Sequence, residues 1–462
     1  MAIQHVDVER EQKTELAPAG GPAAPKPDAR WYLPVAAKFW ISVSFGLVWL
    51  AGSVWLSLPW LRDLSGYVGP VGAIAAVTLV AYIPAVLMAF MAMSLLLDRQ
   101  PELRVSQSTT GVTIVIAARN EEAGIAETIR SAVQTDYAGP VTFMLADNGS
   151  TDATCRVAER VATALGAELA IIHEPKPGKA NALNHALRMV DTPYVVTVDA
   201  DTLLHREALR RLVARIESAP PDTVAVAGAV MIRNSRANLL TRMQEWDYFL
   251  GIAAVKRMQG LYQSTLVAQG AFSLYRTDEL RRVGGWPDAI GEDIVVTWRL
   301  METGDRVLTE PTAIAFTDAP TQVSHFMRQR ARWARGMVEA IRTVPPWRQR
   351  RVLSRFISGI DLLIPLLDIG YGLVWVPGLV LAAFGLPIIV GMWTLAVLPI
   401  TLLVYGGLRR YQRRRIFTPL NLKVRHNPVG YVAFILLYQL LCSAASLTGY
   451  AQEIAGARRR WK

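Results

Sequence analysis

The chain has 462 residues, of which 49 are basic and 38 acidic, so its net charge is +11. Hydrophobic residues make up 52% of the sequence and charged residues only 19%, which argues against a purely soluble protein. About 20 consecutive apolar residues are needed to cross a bilayer. Uncharged runs of that length occur at 39–61, 64–97, 369–408 and 427–452. They predict an integral membrane protein.

The middle of the chain has a different composition. Between Asp98 and about Arg355 lie about 250 residues of ordinary mixed composition, enough for one large domain. This excludes a bare transporter. The two cysteines, Cys155 and Cys442, are too few for a disulfide framework and indicate no metal site by their spacing. Such usage fits a domain kept in a reducing cytosol.

Hydropathy and charge predict six segments along the chain. They are a disordered cytosolic tail at 1–33, two transmembrane helices at 34–97, a cytosolic α/β domain at 98–320, amphipathic interfacial helices at 321–355, about three transmembrane helices at 356–452 and a basic tail at 453–462. A turn at Arg62 and Asp63 would join the first two spans. A last span at 429–451 would place the basic tail outside, against the positive-inside rule. The sequence leaves this conflict open.

Two acidic residues lie at the edge of the third apolar run. The run 369–408 is too short for two spans and a turn unless the first span reaches back past Asp368. Intramembrane carboxylates usually face a bundle interior or a water-filled path, so Asp368 and Asp361 are candidates to line a conduit. The alternative is a helix that ends at headgroup level near Asp368.

The cytosolic segment reads as alternating strands and helices. Apolar strand patterns at 112–117, 141–146, 169–173, 194–198 and 223–232 alternate with helical patterns at 121–134, 152–165, 179–190 and 205–217. This alternation predicts an α/β fold with a parallel sheet covered by helices. In such sheets ligands bind beyond the carboxyl ends of the strands.

Two common nucleotide-binding motifs are missing from these strand ends. The first strand runs into Arg119-Asn120-Glu121 rather than a glycine-rich dinucleotide fingerprint, which argues against a hydride-transfer enzyme. Pro177-Gly178-Lys179 resembles a P-loop only in part, because no Ser or Thr follows the lysine. An ATPase is therefore disfavoured as well.

Carboxylates follow two of the predicted strands. Asp147 ends the second strand, and Asp199 and Asp201 leave the fourth strand two residues apart, where their side chains point roughly the same way. Such close like charges repel unless a cation lies between them. Proteins usually hold Mg²⁺ with one or two carboxylates and substrate phosphates, so the pair indicates a nucleoside diphosphate.

Two later motifs permit both a functional and a structural interpretation. Glu292 and Asp293 begin a helical pattern, where acids also serve simply as partners of the helix dipole. Gln329, Arg332 and Trp333 fall on one face of a helix and suit a sugar phosphate, because Arg pairs with phosphate. The alternative for the second motif is a membrane-surface helix with snorkelling Arg and an anchoring Trp.

The complete motif set resembles a known family. In chain order its members are Asn120-Glu121, Asp147, Lys179, Asp199-x-Asp201, Gln269-Gly270, Glu292-Asp293 and Gln329-x-x-Arg332-Trp333. Over about residues 110–345 the chain resembles the membrane-embedded processive family 2 glycosyltransferases, which include cellulose, hyaluronan, chitin-oligosaccharide and poly-N-acetylglucosamine synthases. The sequences around Gly291-Glu292-Asp293 and Arg332-Trp333 look most like the bacterial poly-β-1,6-N-acetylglucosamine synthases.

The chain departs from the commonest family pattern at three positions. Arg119 stands where an aromatic residue often precedes Asn-Glu, Ala146 where a second Asp is usual, and Gly291 where Thr is common. These departures bear on the product rather than on the reaction.

The resemblance implies a Rossmann-like GT-A domain between N-terminal and C-terminal transmembrane helices. It implies nucleotide-binding roles for Asn120, Glu121, Asp147, Lys179, Asp199, Asp201, Gln329 and Arg332. It further implies that Asp199 and Asp201 hold Mg²⁺ or Mn²⁺, that Asp293 with Glu292 beside it is the general base, and that Trp333, Gln269 and Gly270 bind the acceptor.

The implied activity is the inverting, processive polymerisation of a β-linked polysaccharide from a UDP-sugar. The donor favoured by the resemblance is UDP-N-acetylglucosamine, and the resemblance also implies export of the polymer. A UDP-glucose-using β-glucan synthase and a transferase that places one sugar on a membrane lipid stay as alternatives. The expected partners are the UDP-sugar, the growing polysaccharide, the lipid bilayer, and a small membrane subunit or a second copy. The expected location is the inner membrane, and no motif indicates nucleic acid.

Overall fold

The computed structural model describes residues 33–98, 101–105 and 107–457. The predicted disordered tail, up to residue 32, and residues 458–462 of the predicted basic tail lie outside the described residues.

The α-helices begin and end as follows. They are α1 Val35–Val77, α2 Ile83–Leu96, α3 Ile125–Val133, α4 Thr154–Ala164, α5 Lys179–Arg188, α6 Ala208–Ser218, α7 Leu239–Trp246, α8 Ala253–Leu261, α9 Thr277–Arg282, α10 Glu292–Glu302, α11 Val323–Thr343, α12 Val352–Ile360, α13 Ile364–Ile369, α14 Val376–Ala383, α15 Met392–Gln412, α16 Pro428–Ala433 and α17 Gln439–Ile454. Several are joined by a single π-helical turn, among them Thr78–Tyr82, Asp247–Ile252 and Phe434–Tyr438.

The strands form one eight-stranded sheet. They are β1 Val112–Ala118, β2 Val141–Asp147, β3 Leu169–His173, β4 Tyr194–Asp199, β5 Leu203–Leu204, β6 Thr223–Ile232, β7 Phe272–Arg276 and β8 Arg306–Thr317. Their order across the sheet is β3-β2-β1-β4-β7-β6-β8-β5.

The sheet is mixed rather than wholly parallel. β3, β2, β1 and β4 are parallel, as predicted, but β7 runs antiparallel to both β4 and β6. β7 and β8 were not predicted. The period of a strand sets which side chains share a face but not the direction of its partners, so the antiparallel insertion is invisible in the hydrophobic pattern.

Apolar layers cover both faces of the sheet. In β1, Ile114 and Ile116 pack with α3 on one side, while Val115 belongs to the layer that contains α5 residues on the other. A strand buried on both faces reads as a continuous apolar run, which is why β1 was predicted easily. The arrangement leaves the strand ends as the places where polar side chains are gathered.

The N-terminal helices form a hairpin. The helical run Val35–Leu96 is long and apolar enough to span a membrane, but it reverses at Gly69, where φ is +75°. Ser57 Oγ and Tyr82 Oη, on the two arms, lie 2.5 Å apart. The reversal lies just beyond the predicted turn, which contained Arg62 and Asp63 and ended near residue 67, because Gly69 tolerates positive φ and the following Pro70 disfavours helix at the residue before it.

Two further runs, Val352–Ala383 and Pro428–Ile454, are also long and apolar enough to cross a membrane. Together with the hairpin they indicate a membrane protein. Asp368 is buried between them, and its carboxylate accepts hydrogen bonds from Ser443 Oγ at 2.9 Å and Tyr450 Oη at 2.8 Å. Interhelical hydrogen bonds of this kind contribute about 0.6 kcal/mol each on average. Asp368 therefore joins two helices, while Asp361 is half-buried, and a conduit role for either stays a prediction.

The apolar helices are tied directly to the sheet domain. Asp98, which follows α2, accepts hydrogen bonds from Arg257 of α8 and Tyr411 of α15. α11 packs against α17 so closely that a side chain at Gly449 would overlap the carbonyl oxygen of Ala331. Small residues allow such close backbone approach between helices in membrane proteins. The position of α11 is thus set by a helix that has the composition of a membrane span.

Candidate active site

The first part of the site lies at the ends of β1 and β2. Asp147, the last residue of β2, is buried; it accepts a hydrogen bond from Ser150 N at 3.1 Å, and its other oxygen lies 3.1 Å from His173 Nδ1. Burial alone would raise the pKa of Asp147, but the hydrogen bonds from Ser150 and His173 hold it below its usual value. Asp147 is therefore an ionised acceptor.

Asn120 and Glu121 lie beside this aspartate. Asn120 follows β1 with a φ of +56°, and its side-chain oxygen accepts from Thr151 N at 2.8 Å. Glu121 N donates to Thr154 Oγ1 at 2.8 Å. Asn tolerates left-handed backbone better than most residues do. The two hydrogen bonds hold the turn after β1 against the loop after β2.

Sequence reasoning missed two neighbours of Asp147. The ligand-type atoms of Asp147, Cys155 and His173 lie within 4.8 Å of one another. His173 is the register partner of Asp147 on β3, so a correct strand alignment would have found it. Burial raises the pKa of the Cys155 thiol to about 11, with the charge of Asp147 adding to the rise. The thiol thus stays protonated at neutral pH, which disfavours metal binding through a thiolate.

Lys179 joins carboxylates from two distant parts of the chain. It begins α5, and its ammonium lies 2.5 Å from Asp199 Oδ1 and 3.6 Å from Glu292 Oε1. Burial alone would lower the pKa of Lys179, but Asp199 and then Glu292 outweigh it and hold the pKa above its usual value. Burial raises the pKa of Glu292, which Lys179 opposes. The lysine is the cation that allows these acids to share a low-dielectric site.

Asp201 lies two residues beyond Asp199, in the turn after β4. Burial, and then the charges of Asp199 and Glu121, raise the pKa of Asp201 to about 6. Paired carboxylates that repel each other present the oxygen ligands that hard divalent cations prefer. The residues present therefore fit a divalent cation.

Gly270 and Asp293 form the opposite wall. Gly270 N donates to Asp293 Oδ2 at 3.3 Å, and a Cβ at Gly270 would lie 2.6 Å from Lys179 Nζ. The side chain of Gln269 donates to Gly228 O at 2.9 Å. Asp293 is half-buried whereas Glu292 is buried, both in the first turn of α10. A side chain at the Gly270 position would therefore displace the Lys179 ammonium from its present place beside Asp199.

Behind this wall lies a buried amine that sequence reasoning also missed. Lys256 of α8 lines a cavity with room for about one water molecule, together with Gln269 and Gly228. Its Nζ has no hydrogen-bond partner among the described residues. Burial lowers the pKa of Lys256 to about 7, although the charge of Asp293 opposes this shift. A lysine inside an apolar helical pattern gives no sequence signal of this kind.

The predicted motif residues Gln329, Arg332 and Trp333 lie on α11. Trp333 is 38% exposed, Arg332 is exposed, and Gln329 is half-buried. The Trp333 ring lies 6.5 Å from that of Tyr248, in the π-helical turn after α7. Burial raises the pKa of Tyr248 to about 12, and the charges of Asp199 and Asp201 add to the rise. Tyr248 is thus a ring neighbour of the exposed indole.

A direct backbone contact fixes the spacing between α10 and α11. A Cβ at Gly291 would lie 2.7 Å from the Cα of Gly336, so no side chain fits at either glycine. Ile290 N also donates to Glu339 of α11 at 2.7 Å. Because Gly291 immediately precedes Glu292 and Asp293, this contact sets the distance between the acidic turn and the helix that carries Trp333.

Most of the predicted residues thus converge, in two linked groups. Lys179 and Gly270 connect Asp199, Glu292 and Asp293 directly, while Asn120 and Asp147 meet through the loop after β2. Gln329, Arg332 and Trp333 are connected to the site through α11, and no direct contact with either group is seen in the part of the chain that the structure describes. The roles predicted for individual residues stay predictions.

Comparison with known proteins identifies the domain. The sequence profile described as "Glycosyltransferase like family 2" matches residues 110–336. Residues 110–336, just under half of the chain, thus match a family 2 glycosyltransferase domain. This confirms the predicted family and, with it, the prediction that the protein is an enzyme of the glycosyltransferase class.

Curated relatives of this glycosyltransferase include two poly-beta-1,6-N-acetyl-D-glucosamine synthases. The protein from Staphylococcus aureus (strain COL) is 30% identical over 246 residues, which is 53% of this chain and 58% of that protein. The protein from Staphylococcus epidermidis is 29% identical over 236 residues, 51% of this chain and 56% of that protein. The match therefore spans little more than half of each relative.

The glycosyltransferase fold is also found in a solved structure. A mannosyltransferase from Pyrobaculum calidifontis, in complex with GDP-Man and Mn²⁺, superposes with a TM-score of 0.57 at 20% identity and covers 83% of this chain and 98% of that chain. The likeness confirms the predicted GT-A fold class.

The contact between Gly291 and Gly336 gives a first prediction. Gly336→Ala would place a methyl group 2.8 Å from the Cα of Gly291 and push α11 away from the acidic turn. Misplacement of reacting groups by about 1 Å can cost about 100-fold in rate. We expect the rate of glycosyl transfer to fall at least about tenfold. Gly359→Ala on α12, where a Cβ meets nothing within 4 Å, is the control. Unchanged activity of Gly336→Ala would contradict this view of the contact.

Proposed function

We propose that this protein is a membrane-bound, inverting glycosyltransferase that polymerises a β-linked polysaccharide from a UDP-sugar at the cytosolic face of the inner membrane. UDP-N-acetylglucosamine is the proposed donor, since the poly-beta-1,6-N-acetyl-D-glucosamine synthases are among the curated relatives. The observation that carries the proposal is the meeting of Asp199 and Glu292 at the half-buried ammonium of Lys179, from three separate elements.

The donor nucleotide would lie along the ends of β1, β2 and β4. Asp147 is ionised and fixed by Ser150 and His173, so it offers a carboxylate to the N–H group of a uracil ring. Asn120 and Glu121 form the adjoining wall through their ties to the loop after β2. Lys179, at the amino end of α5, would contribute positive charge near the diphosphate.

Asp199 and Asp201 would hold Mg²⁺ or Mn²⁺, which neutralises the charge of the departing diphosphate when bound. Arg332 is exposed on α11 and would donate to the same phosphates. Removal of one preorganised donor of this kind costs about 3–4 kcal/mol in other enzymes. The buried side-chain oxygen of Gln329, which has no hydrogen-bond partner among the described residues, would accept a hydrogen bond from the nucleotide sugar.

Asp293 is the proposed general base. It would take the proton of the acceptor hydroxyl while that oxygen bonds to the anomeric carbon, the bond from this carbon to UDP breaks, and the configuration inverts. Glu292 is less suited because it is buried and lies 3.6 Å from Lys179, whereas Asp293 is half-buried and beside Gly270. Glu292 would instead hold the lysine in place.

The acceptor would rest on Trp333. Its indole is 38% exposed within a mostly buried stretch of helix, and an aromatic face of this kind can stack on a pyranose. Gln269 and Gly270 would form the wall beside the attacking hydroxyl. Because α11 packs on α17, a growing chain that leaves Trp333 is already at the apolar helices, where Asp361 and Asp368 are the proposed contacts for passage.

The proposed reaction is tested by incubating membranes that contain the protein with UDP-N-acetylglucosamine, UDP-glucose or UDP-glucuronate. We expect UDP release to be fastest with UDP-N-acetylglucosamine and a long polymer to form. Release only with UDP-glucose would indicate a β-glucan synthase, and a single sugar on extracted lipid would overturn the processive reaction.

The role of Asp293 is tested by Asp293→Asn. The amide keeps the shape of the side chain but cannot take a proton, and general base catalysis contributes about 10²–10⁴ in rate. We expect turnover to fall by about that factor while UDP binds as in the parent protein. An equal loss of UDP affinity, measured by calorimetry, would refute the assignment.

The metal site is tested by Asp201→Ala. We expect UDP affinity to weaken at least about tenfold in the presence of Mg²⁺ and to respond little to chelation, because one metal ligand is gone. Asp278→Ala is a matched control, since Asp278 is a carboxylate whose side chain is 96% exposed on α9. Unchanged Mg²⁺-dependent affinity in Asp201→Ala would count against the site.

A further inference from the structure

A buried arginine lies between the motif residues of α11. Arg330 follows Gln329 and precedes Arg332, yet its side chain is only 9% exposed, while Arg332 is exposed. A guanidinium is not neutralised at any ordinary pH, so its burial requires partners for both its charge and its planar faces. The structure supplies both, and none of the functions described above uses them.

The charge of Arg330 is paired in a closed triangle. Arg330 Nη2 lies 2.9 Å from Asp247 Oδ2 and donates a hydrogen bond to Tyr438 Oη at 2.7 Å. The Tyr438 hydroxyl in turn donates to Asp247 Oδ2 at 2.9 Å. Each of the three polar side chains, Arg330, Asp247 and Tyr438, therefore contacts the other two.

The faces of the guanidinium are covered by aromatic rings. Its Cζ lies 4.1 Å from the centroid of the Trp333 ring, which is the shortest of four such distances. The other rings are those of Phe326 at 5.2 Å, Tyr438 at 5.8 Å and Tyr248 at 5.9 Å. Trp333 therefore lies against a fixed planar cation, with more than a third of the residue still exposed.

The members of this group come from three separate parts of the fold. Arg330 and Trp333 lie on α11, Asp247 is in the π-helical turn after α7 in the glycosyltransferase domain, and Tyr438 ends the π-helical turn between α16 and α17. π-helical turns are rare and often lie at functional sites. Pro428–Ile454, which contains Tyr438, is one of the runs long and apolar enough to span a membrane.

We propose that Arg330 is a positioning residue for the acceptor: it fixes the plane of the Trp333 indole and joins it, through Asp247 and Tyr438, to the last apolar helical run. The inference rests on the proposed function, in which Trp333 receives the acceptor sugar. It adds that the stacking surface is one rigid unit with that helical run. A lysine would keep the charge but not the planar face, so the two residues are not interchangeable here.

A kinetic comparison separates this role from a merely structural one. In purified full-length protein, Arg330→Lys should raise the KM for an added β-linked oligosaccharide acceptor about tenfold. The rate of UDP-sugar hydrolysis, with water as acceptor, and the affinity for UDP should stay within about twofold, because the donor site is untouched. Arg328→Lys, an exposed position on the same helix, is the matched control and should change neither quantity. An unchanged acceptor KM in Arg330→Lys would overturn the proposal.

A spectroscopic measurement tests the same inference without catalysis. In protein labelled with 5-fluorotryptophan, the ¹⁹F resonance of Trp333 is assigned by its loss in Trp333→Phe. Arg330→Lys should shift or broaden this resonance, and Arg328→Lys should not. A Trp333 resonance that is unaltered in Arg330→Lys would refute the positioning role even if the proposed function is correct, whereas absence of transfer by the parent protein would refute the function alone.

Tyr438→Phe keeps the test informative should Arg330→Lys fail to fold. It removes only the hydroxyl that connects Arg330 to Asp247 and preserves the ring. It should change the acceptor KM and the Trp333 resonance in the same direction but by less, about threefold for KM. No change in either quantity would exclude the connection to the last helical run.

Discussion

The structure depends above all on one half-buried ammonium, that of Lys179, among carboxylates. Lys179 lies at the start of α5, within 3.6 Å of Asp199 and Glu292, and Asp201 and Asp293 lie in the same region. Without a central cation, so many acids in a partly buried site would repel one another or become protonated. The lysine therefore permits a concentration of negative charge that would otherwise be unstable. A side chain at Gly270 would occupy the place of this ammonium.

α11 is the second constraint, because it packs against both α10 and α17. One side approaches α10 at Gly291 and Gly336, and another approaches α17 at Ala331 and Gly449. Both contacts are made by backbone, without flexible side chains in between. A small displacement of the apolar helices would therefore be transmitted through α11 to the acidic turn, since closely packed backbones transmit displacement rather than absorb it.

The parts of the fold that could be predicted from the sequence are those with local signals. The strands β1, β2 and β4 are continuous apolar runs that end in polar residues, and parallel strands bring those ends to one edge. The motif residues Asp147 and Asp199 were found in this way, whereas Lys179 was assigned from the resemblance to the family. The reversal at Gly69 was misplaced because charged residues, at Arg62 and Asp63, were a weaker turn signal than a glycine followed by proline.

What was missed depends on contacts between distant segments. His173 is recognisable only from the register of β3 with β2, and the antiparallel insertion of β7 only from the whole sheet. Lys256 and Arg330 lie in helical patterns where a lysine or arginine usually faces solvent, so their burial has no local sign. Tertiary packing, rather than periodicity, decides which cations are enclosed.

The contact at Gly291 has a consequence for exchanging parts among related enzymes. Thr is common at this position in the family that the sequence resembles, but here the facing backbone of Gly336 leaves no room for a branched side chain. A loop transplanted from such a relative would therefore carry a steric conflict that is absent from its own parent. Chimeric synthases built on this chain need the loop and the facing helix from the same donor, so that the two surfaces remain complementary.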